Sequence, residues 1–392
     1  MTKVILPILL LLLLISCKPS TESTDYFGQP YPDSIPLVFA PNIVSMKGRL
    51  EHGISFTPDT REVAFGILNK DDFSGEIFYS RKVNEQWTEP AVFESLKNEC
   101  AYLPYFSPNG KSLLYTQSKA DTYNVYTDIW MIEKINDDWI SPKMLKAPLS
   151  STSREANACM TYDGTIYFSS NRNCDGKENC HNADLFYSKL MDNAHQSADV
   201  ISEFISLNDE ESVFISSKEE YIIFCRYTDD ETCADLYISY RDINNNWIVP
   251  QIIDSTINSK DWDRRPFVSI DNKFLFFTRL QIGEQGLTES DIFWVNTSKL
   301  FKPFVYHSLS NTTVQVGEKF EIAVPKDYFK DIDDKQLTYR VNKNQFDWLN
   351  FDSEQMKLSG LPPVEGDFEL TFTAIDKSSN MTDDKIIITV RK

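Results

Sequence analysis

Apolar residues in this chain cluster in short runs of strand length rather than at helical spacing, and the runs repeat. The clearest unit has an inner strand at Tyr102–Ser107, a turn at Pro108-Asn109-Gly110 and a second strand at Ser112–Gln117. A variable polar stretch follows, then a third strand at Asp128–Glu133 and a last strand opened by Trp139 and Pro142. Val, Ile, Phe, Tyr and Trp fill the runs while Gly, Pro, Asn and Asp bound them, which predicts four strands per unit. The turn recurs at Pro58-Asp59, Asp163-Gly164, Glu219-Glu220 and Asp271-Asn272. The third strand recurs around Ile77, Ile129, Leu185, Leu236 and Ile292, at intervals of 52, 56, 51 and 56 residues. A fixed period of this size signals an array of units, none of which can bury its apolar face alone. Trp-x-x-Pro closes the units at Trp87–Pro90, Trp139–Pro142 and Trp247–Pro250, but nothing comparable follows Asp291. Leu37-Val38-Phe39-Ala40-Pro41 can supply that missing strand from the other end of the chain, closing a ring and removing its exposed edge. The expectation is an all-β, five-bladed propeller over residues 35–302; six blades would require one degenerate unit.

From residue 303 to 392 the period stops. Alternation is clear in Phe368–Ala374 and Lys385–Val390, as half-buried sandwich strands require. Val316-Gly317-Glu318, Asp331-Ile332-Asp333-Asp334, Trp348-Leu349 and Leu358-Ser359-Gly360-Leu361-Pro362 follow in order. This set resembles the cadherin-like domain of the dystroglycan type, an immunoglobulin-like sandwich. The repeats in turn resemble the TolB-type, WD-like propeller family. Its Ser-Pro-Asp-Gly and Phe-Ser-Ser-x-Arg patterns are similar to Ser107–Gly110 and to Phe168-Ser169-Ser170-Asn171-Arg172, with the Asp-Ile-aromatic markers beside them. That resemblance covers most of residues 50–295 and implies protein–protein contact.

The N-terminus changes the picture most. Lys3 precedes an apolar run from Val4 to Ile15, long enough for a signal-peptide core and too short to span a bilayer. Its end, Leu14-Ile15-Ser16-Cys17, resembles a bacterial lipobox, which implies a lipoprotein signal with its lipobox over residues 1–17, cleavage that leaves a diacylated Cys17 as the first residue, and a membrane hold through lipid. Lys18 after the cysteine implies, by analogy with lipoprotein sorting, the outer membrane, and the absence of an acidic run at 18–22 points to a periplasm-facing envelope protein. Residues 18–34 read as a tether. A net charge of −19 argues against nucleic acid, whose phosphates need a basic stripe.

Six cysteines remain in an exported chain. Cys174 with Cys180 and Cys225 with Cys233 are the local disulfide candidates, whereas Cys100 and Cys159 cannot be paired from sequence. A metal site at Cys174, Cys180 and His181 is the alternative for the first pair. Aligning the units on their turns brings Glu51, Glu155, Glu211 and Asp263 to one position, with Ala101 breaking the ring and Arg49, Arg154, Arg264 and Arg265 close by. In a propeller these residues converge on one mouth of the central channel. They are the candidate binding residues, for an envelope protein or a glycan, although recurrence in nearly every unit also fits a structural tie. No catalytic residue and no cofactor are assigned. Glycosidases on five-bladed propellers use two carboxyls about 5–9.5 Å apart, so a glycan-active hydrolase is the alternative function. No Gly-x-Ser-x-Gly elbow or sialidase-type box is present. Asp331, Asp333 and Asp376 are weak calcium candidates, with capping of loops as the competing role.

Overall fold

The computed structural model describes residues 25–72, 74–118, 126–174, 182–228, 233–283, 286–342 and 346–392. The expected leader with Cys17, and Cys180 with His181, lie outside the described residues. Among the described residues there is no α-helix; strands are joined by turns and short 3-10 segments. Five antiparallel units follow one another. Their inner strands are Leu50–Phe56, Ala101–Phe106, Glu155–Met160, Glu210–Ile215 and Trp262–Val268. Second strands are Glu62–Leu68, Ser112–Ser118, Ile166–Ser170, Tyr221–Tyr227 and Phe274–Gly283; third strands are Gly75–Val83, Thr127–Ile135, Asp184–Ser188, Ala234–Tyr240 and Gly286–Asn296. Each inner strand is buried along almost its whole length, because neighbouring blades cover both its faces. Third strands alternate between buried and accessible positions, which is the period-2 pattern of a strand with one wet face.

Four blades end on their own outer strand: Ala91–Val92, Asp138–Met144, Asp199–Val200 and Gln251–Ile252. The fifth takes its outer strand from the N-terminus, with Leu37 paired to Trp294 and Val38 to Phe293. Phe39 follows, fully buried, edge-on to Phe276 at 5.1 Å and to Trp294 at 5.2 Å. Trp139 and Trp247 of the Trp-x-x-Pro endings are buried under a cation, with the Arg241 guanidinium 3.7 Å from the Trp247 ring centre.

The turn after each inner strand is built one way in all five blades. A hydroxyl residue (Thr57, Ser107, Thr161, Ser216 or Ser269) opens it, and the residue three positions later is left-handed. Those residues are Thr60, Gly110, Gly164, Glu219 and Asn272, with φ of 55°, 68°, 86°, 59° and 58°. In blade 4 the Ser216 hydroxyl accepts the Tyr221 N–H at 3.1 Å, as Ser107 does for Ser112 at 3.0 Å. The fourth turn is therefore Ser216–Glu219, one residue earlier than the sequence alignment placed it. The consequence for the acid ring is given below.

A second core, built on Leu358, Leu370, Phe372, Ile386 and Ile388, lies between two sheets of the C-terminal region. One sheet joins Thr312–Gln315, Met381–Arg391, Gly366–Ile375 and Thr338–Val341; the other joins Phe320–Ala323, Lys357–Gly360 and Leu349–Asp352. This sandwich meets the propeller beside the turns of blades 4 and 5. Phe304 stacks on Tyr240 at 4.2 Å, and the Asn380 amide donates to the carbonyls of Ser298 (2.9 Å) and Phe301 (3.3 Å).

The second cysteine pair is not formed. Strand register sets Cys225 opposite Leu236 and brings Cys233 to Thr228, so the two are three residues out of step. At about 3.3 Å per residue that separation exceeds what a disulfide can bridge. Cys225 and Cys233 are free thiols, as are Cys100 and Cys159. Cys174 is disulfide-bonded.

Candidate functional site at the propeller mouth

The channel is organised by a bulge that every inner strand carries. In each, two residues oppose one on the second strand, and one residue of the bulge is left-handed: Gly53, Leu103, Asn157, Ser212 and Arg265. A bulge re-aims the side chains around it, and these five residues line the narrow waist of the channel, a void of about 40 Å³. At one end of the waist the turns converge on a cavity of about 230 Å³, lined by Tyr26, Phe56, Tyr105, Phe214 and Phe267. The other end is the mouth, where the inner strands begin.

Two positions before each left-handed bulge residue stand Glu51, Ala101, Glu155, Glu210 and Asp263. The fourth acid of the ring is thus Glu210 rather than Glu211. All four carboxylates are buried, and each is held in a similar clamp. Glu155 accepts from the Ser151 N–H (2.9 Å), the Ser170 hydroxyl (2.9 Å) and Arg172 (3.0 Å). Asp263 accepts from the Ser259 N–H (2.6 Å) and Arg279 (2.8 Å), and Glu210 from Ser206 and Arg226 (2.7 Å). Glu51 accepts from the Met46 N–H (3.2 Å) and Arg49 (2.6 Å). Each arginine also donates to a carbonyl of the loop entering its blade: Val44, Pro148, Phe204 or Ile257. Each lies over two aromatic rings of its blade, as Arg279 does over Phe277 and Phe293. Charge-assisted bonds of this kind tie an interblade loop to a blade. Glu51, Glu155 and Asp263, expected at the mouth surface, are spent on this tie.

Glu211, one residue past the clamp, points elsewhere. One oxygen accepts from Arg154 at 2.5 Å; the other accepts from Arg264 at 2.8 Å and lies 3.6 Å from Arg265. Burial alone would push the Glu211 carboxyl up, but the three guanidiniums outweigh it and hold the group far below the usual carboxylate range. Arg265 donates to the Ser212 hydroxyl (2.7 Å) and to the His52 ring (3.2 Å). Burial, reinforced by Arg264, brings Arg265 down to about 10, so it stays charged at neutral pH. Burial and the arginines keep His52 neutral. The structure brings Arg154, Glu211, Arg264 and Arg265 together and adds His52. Sequence reading missed Glu210 and the clamp partners Arg172, Arg226 and Arg279; the signal was an arginine seven or eight residues after the left-handed turn residue in blades 3 to 5.

Of the calcium candidates, Asp331 and Asp376 cap turns, and Asp333 lies 3.7 Å from the Lys377 ammonium. Asp331 accepts the N–H groups of Asp333 (3.0 Å) and Asp334 (3.3 Å), and Asp376 accepts the Asn380 N–H (2.8 Å) and side-chain amide (2.6 Å). No group of three His, Cys, Asp or Glu among the described residues could hold a metal ion.

A family model described as "Putative Ig domain" matches residues 302–391. No curated protein matches the chain. Among solved structures, an endo-arabinase from Bacteroides thetaiotaomicron is 13% identical with a TM-score of 0.42, over 67% of this chain and 96% of that one. The catalytic domain of an α-L-arabinofuranosidase from Coprinopsis cinerea is 8% identical with a TM-score of 0.44, over 68% and 98%. The β-propeller domain of the Trilobed protease from Pyrococcus furiosus is 11% identical with a TM-score of 0.33, over 61% and 78%. At these identities the likeness is one of fold alone. The chain is a β-propeller followed by an immunoglobulin-like sandwich.

Proposed function

We propose that this protein is a TolB-type propeller lipoprotein of the bacterial envelope, anchored through Cys17, whose channel mouth binds a partner without chemical conversion. The Arg154–Glu211–Arg264–Arg265 cluster carries this reading, because it stands apart from the acid–arginine clamps. The clamps already tie every acid-bearing blade to its loop, whereas this cluster gathers charge from blades 3, 4 and 5 at the channel entrance. Anchor and mouth are compatible in space. Asp25 lies eight residues beyond Cys17, a reach of at most about 30 Å, and the adjoining Tyr26 lines the cavity at the end of the channel opposite the mouth. The mouth would then face away from the lipid. The test is to display the soluble chain, begun after Cys17, to a glycan array and to solubilised envelope extract, as wild type and as Arg154→Gln. A binding profile lost in the variant supports the mouth; identical profiles would overturn it.

Glycan hydrolysis, the activity named for two of the propeller neighbours, is the second reading. It asks for two carboxyls flanking one bond. Glu211 is the carboxylate of the cluster, and it is held ionised by arginine, which suits neither a general acid nor a pair. Release of reducing ends from any glycan in the array, abolished by Glu211→Gln, would establish hydrolysis instead.

A further inference from the structure

Among the described residues the charges of the cluster do not balance. Three guanidiniums meet one carboxylate, and His52 accepts from Arg265 through Nε2, so it adds no negative charge. Two positive charges are left over within the cluster, among the described residues of a chain whose net charge is −19. Arg264 and Arg265 are 8% and 7% exposed, so this surplus is carried out of water, where an uncompensated charge is costly. Arg264 Nε and His52 Nδ1 are buried and make no hydrogen bond in the structure. The Arg154 side chain is 21% exposed, while below it the waist has room for little more than water.

We infer that this cluster is a binding site for the carboxylate of an acidic glycan, a uronic-acid residue entering the mouth of the propeller. This rests on the mouth reading above and gives it a ligand class. Guanidinium planes receive carboxylates in a fork of two N–H donors, and Arg154 and Arg264 already grip Glu211 from its two oxygens. A ligand carboxylate completes the charge that Glu211 only begins to neutralise. Tyr227 and Trp262, both half-buried, stand 5.1 Å apart and perpendicular, with the Arg264 guanidinium 5.1 Å and 5.4 Å from their ring centres. Aromatic rings beside a charge are the mixed lining typical of ligand sites that take a charged sugar. A peptide C-terminus is the poorer fit. Its capture relies on free backbone N–H groups, and at this entrance those of Met46, Ser151 and Ser259 are used by the clamps.

The experiment titrates the soluble chain with tetragalacturonic acid, its carboxyl-reduced neutral counterpart, a short peptide with a free C-terminus, and inorganic phosphate. Calorimetry is run at low and at moderate salt. The acidic tetrasaccharide is expected to bind at least about tenfold more tightly than the neutral one, and to weaken with salt. Arg154→Gln, with its melting temperature measured alongside, should weaken it by about tenfold or more, and Arg154→Lys by less. Glu211→Gln, where it folds, should strengthen it several-fold, a gain that a purely structural cluster would not give. Equal binding of the acidic and neutral sugars, or binding of peptide or phosphate in place of the uronate, overturns the inference. A neutral array ligand that depends on Arg154 would leave the mouth reading standing while this inference fails; an array profile indifferent to Arg154 removes both.

Discussion

Glu51 is fully buried, and one of its carboxylate oxygens has no hydrogen-bond partner. Burial pushes its carboxyl up to about 7, against the pull of Arg49 and of the Met46 N–H. A group whose folded value is raised stabilises the fold fully below its unfolded value, near 4.5, and loses that contribution as pH rises through about 7. Wild type should therefore lose on the order of 1–3 kcal/mol between pH 5 and pH 8 from this one residue. Glu51→Gln, which cannot ionise, should flatten that part of the stability–pH curve in chemical denaturation. A wild-type curve already flat across this window would show that Glu51 is ionised throughout. Residue scale also explains the misplaced acid. Successive strand residues point to opposite faces, so a one-residue slip in aligning blade 4 exchanged the clamp residue Glu210 for the channel residue Glu211. The shared opening hydroxyl, Ser216 in blade 4, fixes the register that the irregular Lys218-Glu219-Glu220 stretch obscured.

Among the elements, the closing strand has the least backbone and the most consequence. Only Leu37 and Val38 pair with the third strand of blade 5, but Phe39 behind them fills a pocket of Phe56, Phe276 and Trp294. Tyr26 packs on the same rings from the channel end. Replacing a buried phenylalanine by alanine costs about 3–5 kcal/mol, and here the loss falls on the seam of the ring. Phe39→Ala should lower the denaturation free energy by that amount, and it should make blades 1 and 5 exchange amide hydrogens before blades 2 to 4. Uniform loss of protection across all five blades would mean that the ring opens as one unit, without a weak seam.

At the level of the whole molecule, propeller and sandwich share a small polar and aromatic contact. Asp376 holds the Asn380 amide, which donates to Ser298 and Phe301, while Phe304 stacks face to face on Tyr240. The acidic turn of the sandwich that looked like a cation site is therefore part of a joint. Replacing Asn380 by Ala leaves two buried carbonyls without this donor, each costing roughly 1–3 kcal/mol. A single calorimetric transition in wild type should then split, with the sandwich melting first in Asn380→Ala. Two transitions already present in wild type would show that the joint does not couple the domains. The joint also puts the sandwich near the turns of blades 4 and 5, at the end of the propeller away from the arginine cluster.

The linear pattern by itself determined the five units, the strands within them, the donated closing strand and the sandwich. All of these follow from where apolar runs start and stop, and burial on a strand is written in alternation. It also marked Arg154, Glu211 and Arg264 as residues of one mouth. What it could not decide was which carboxylates face the channel, because that depends on a bulge and a left-handed residue that shift the side-chain register by one. Nor could it pair the cysteines: Cys225 and Cys233 flank one hairpin, and only strand register shows that they are out of step. Periodicity locates a residue along a strand; the direction its side chain takes is set by the neighbours that close around it.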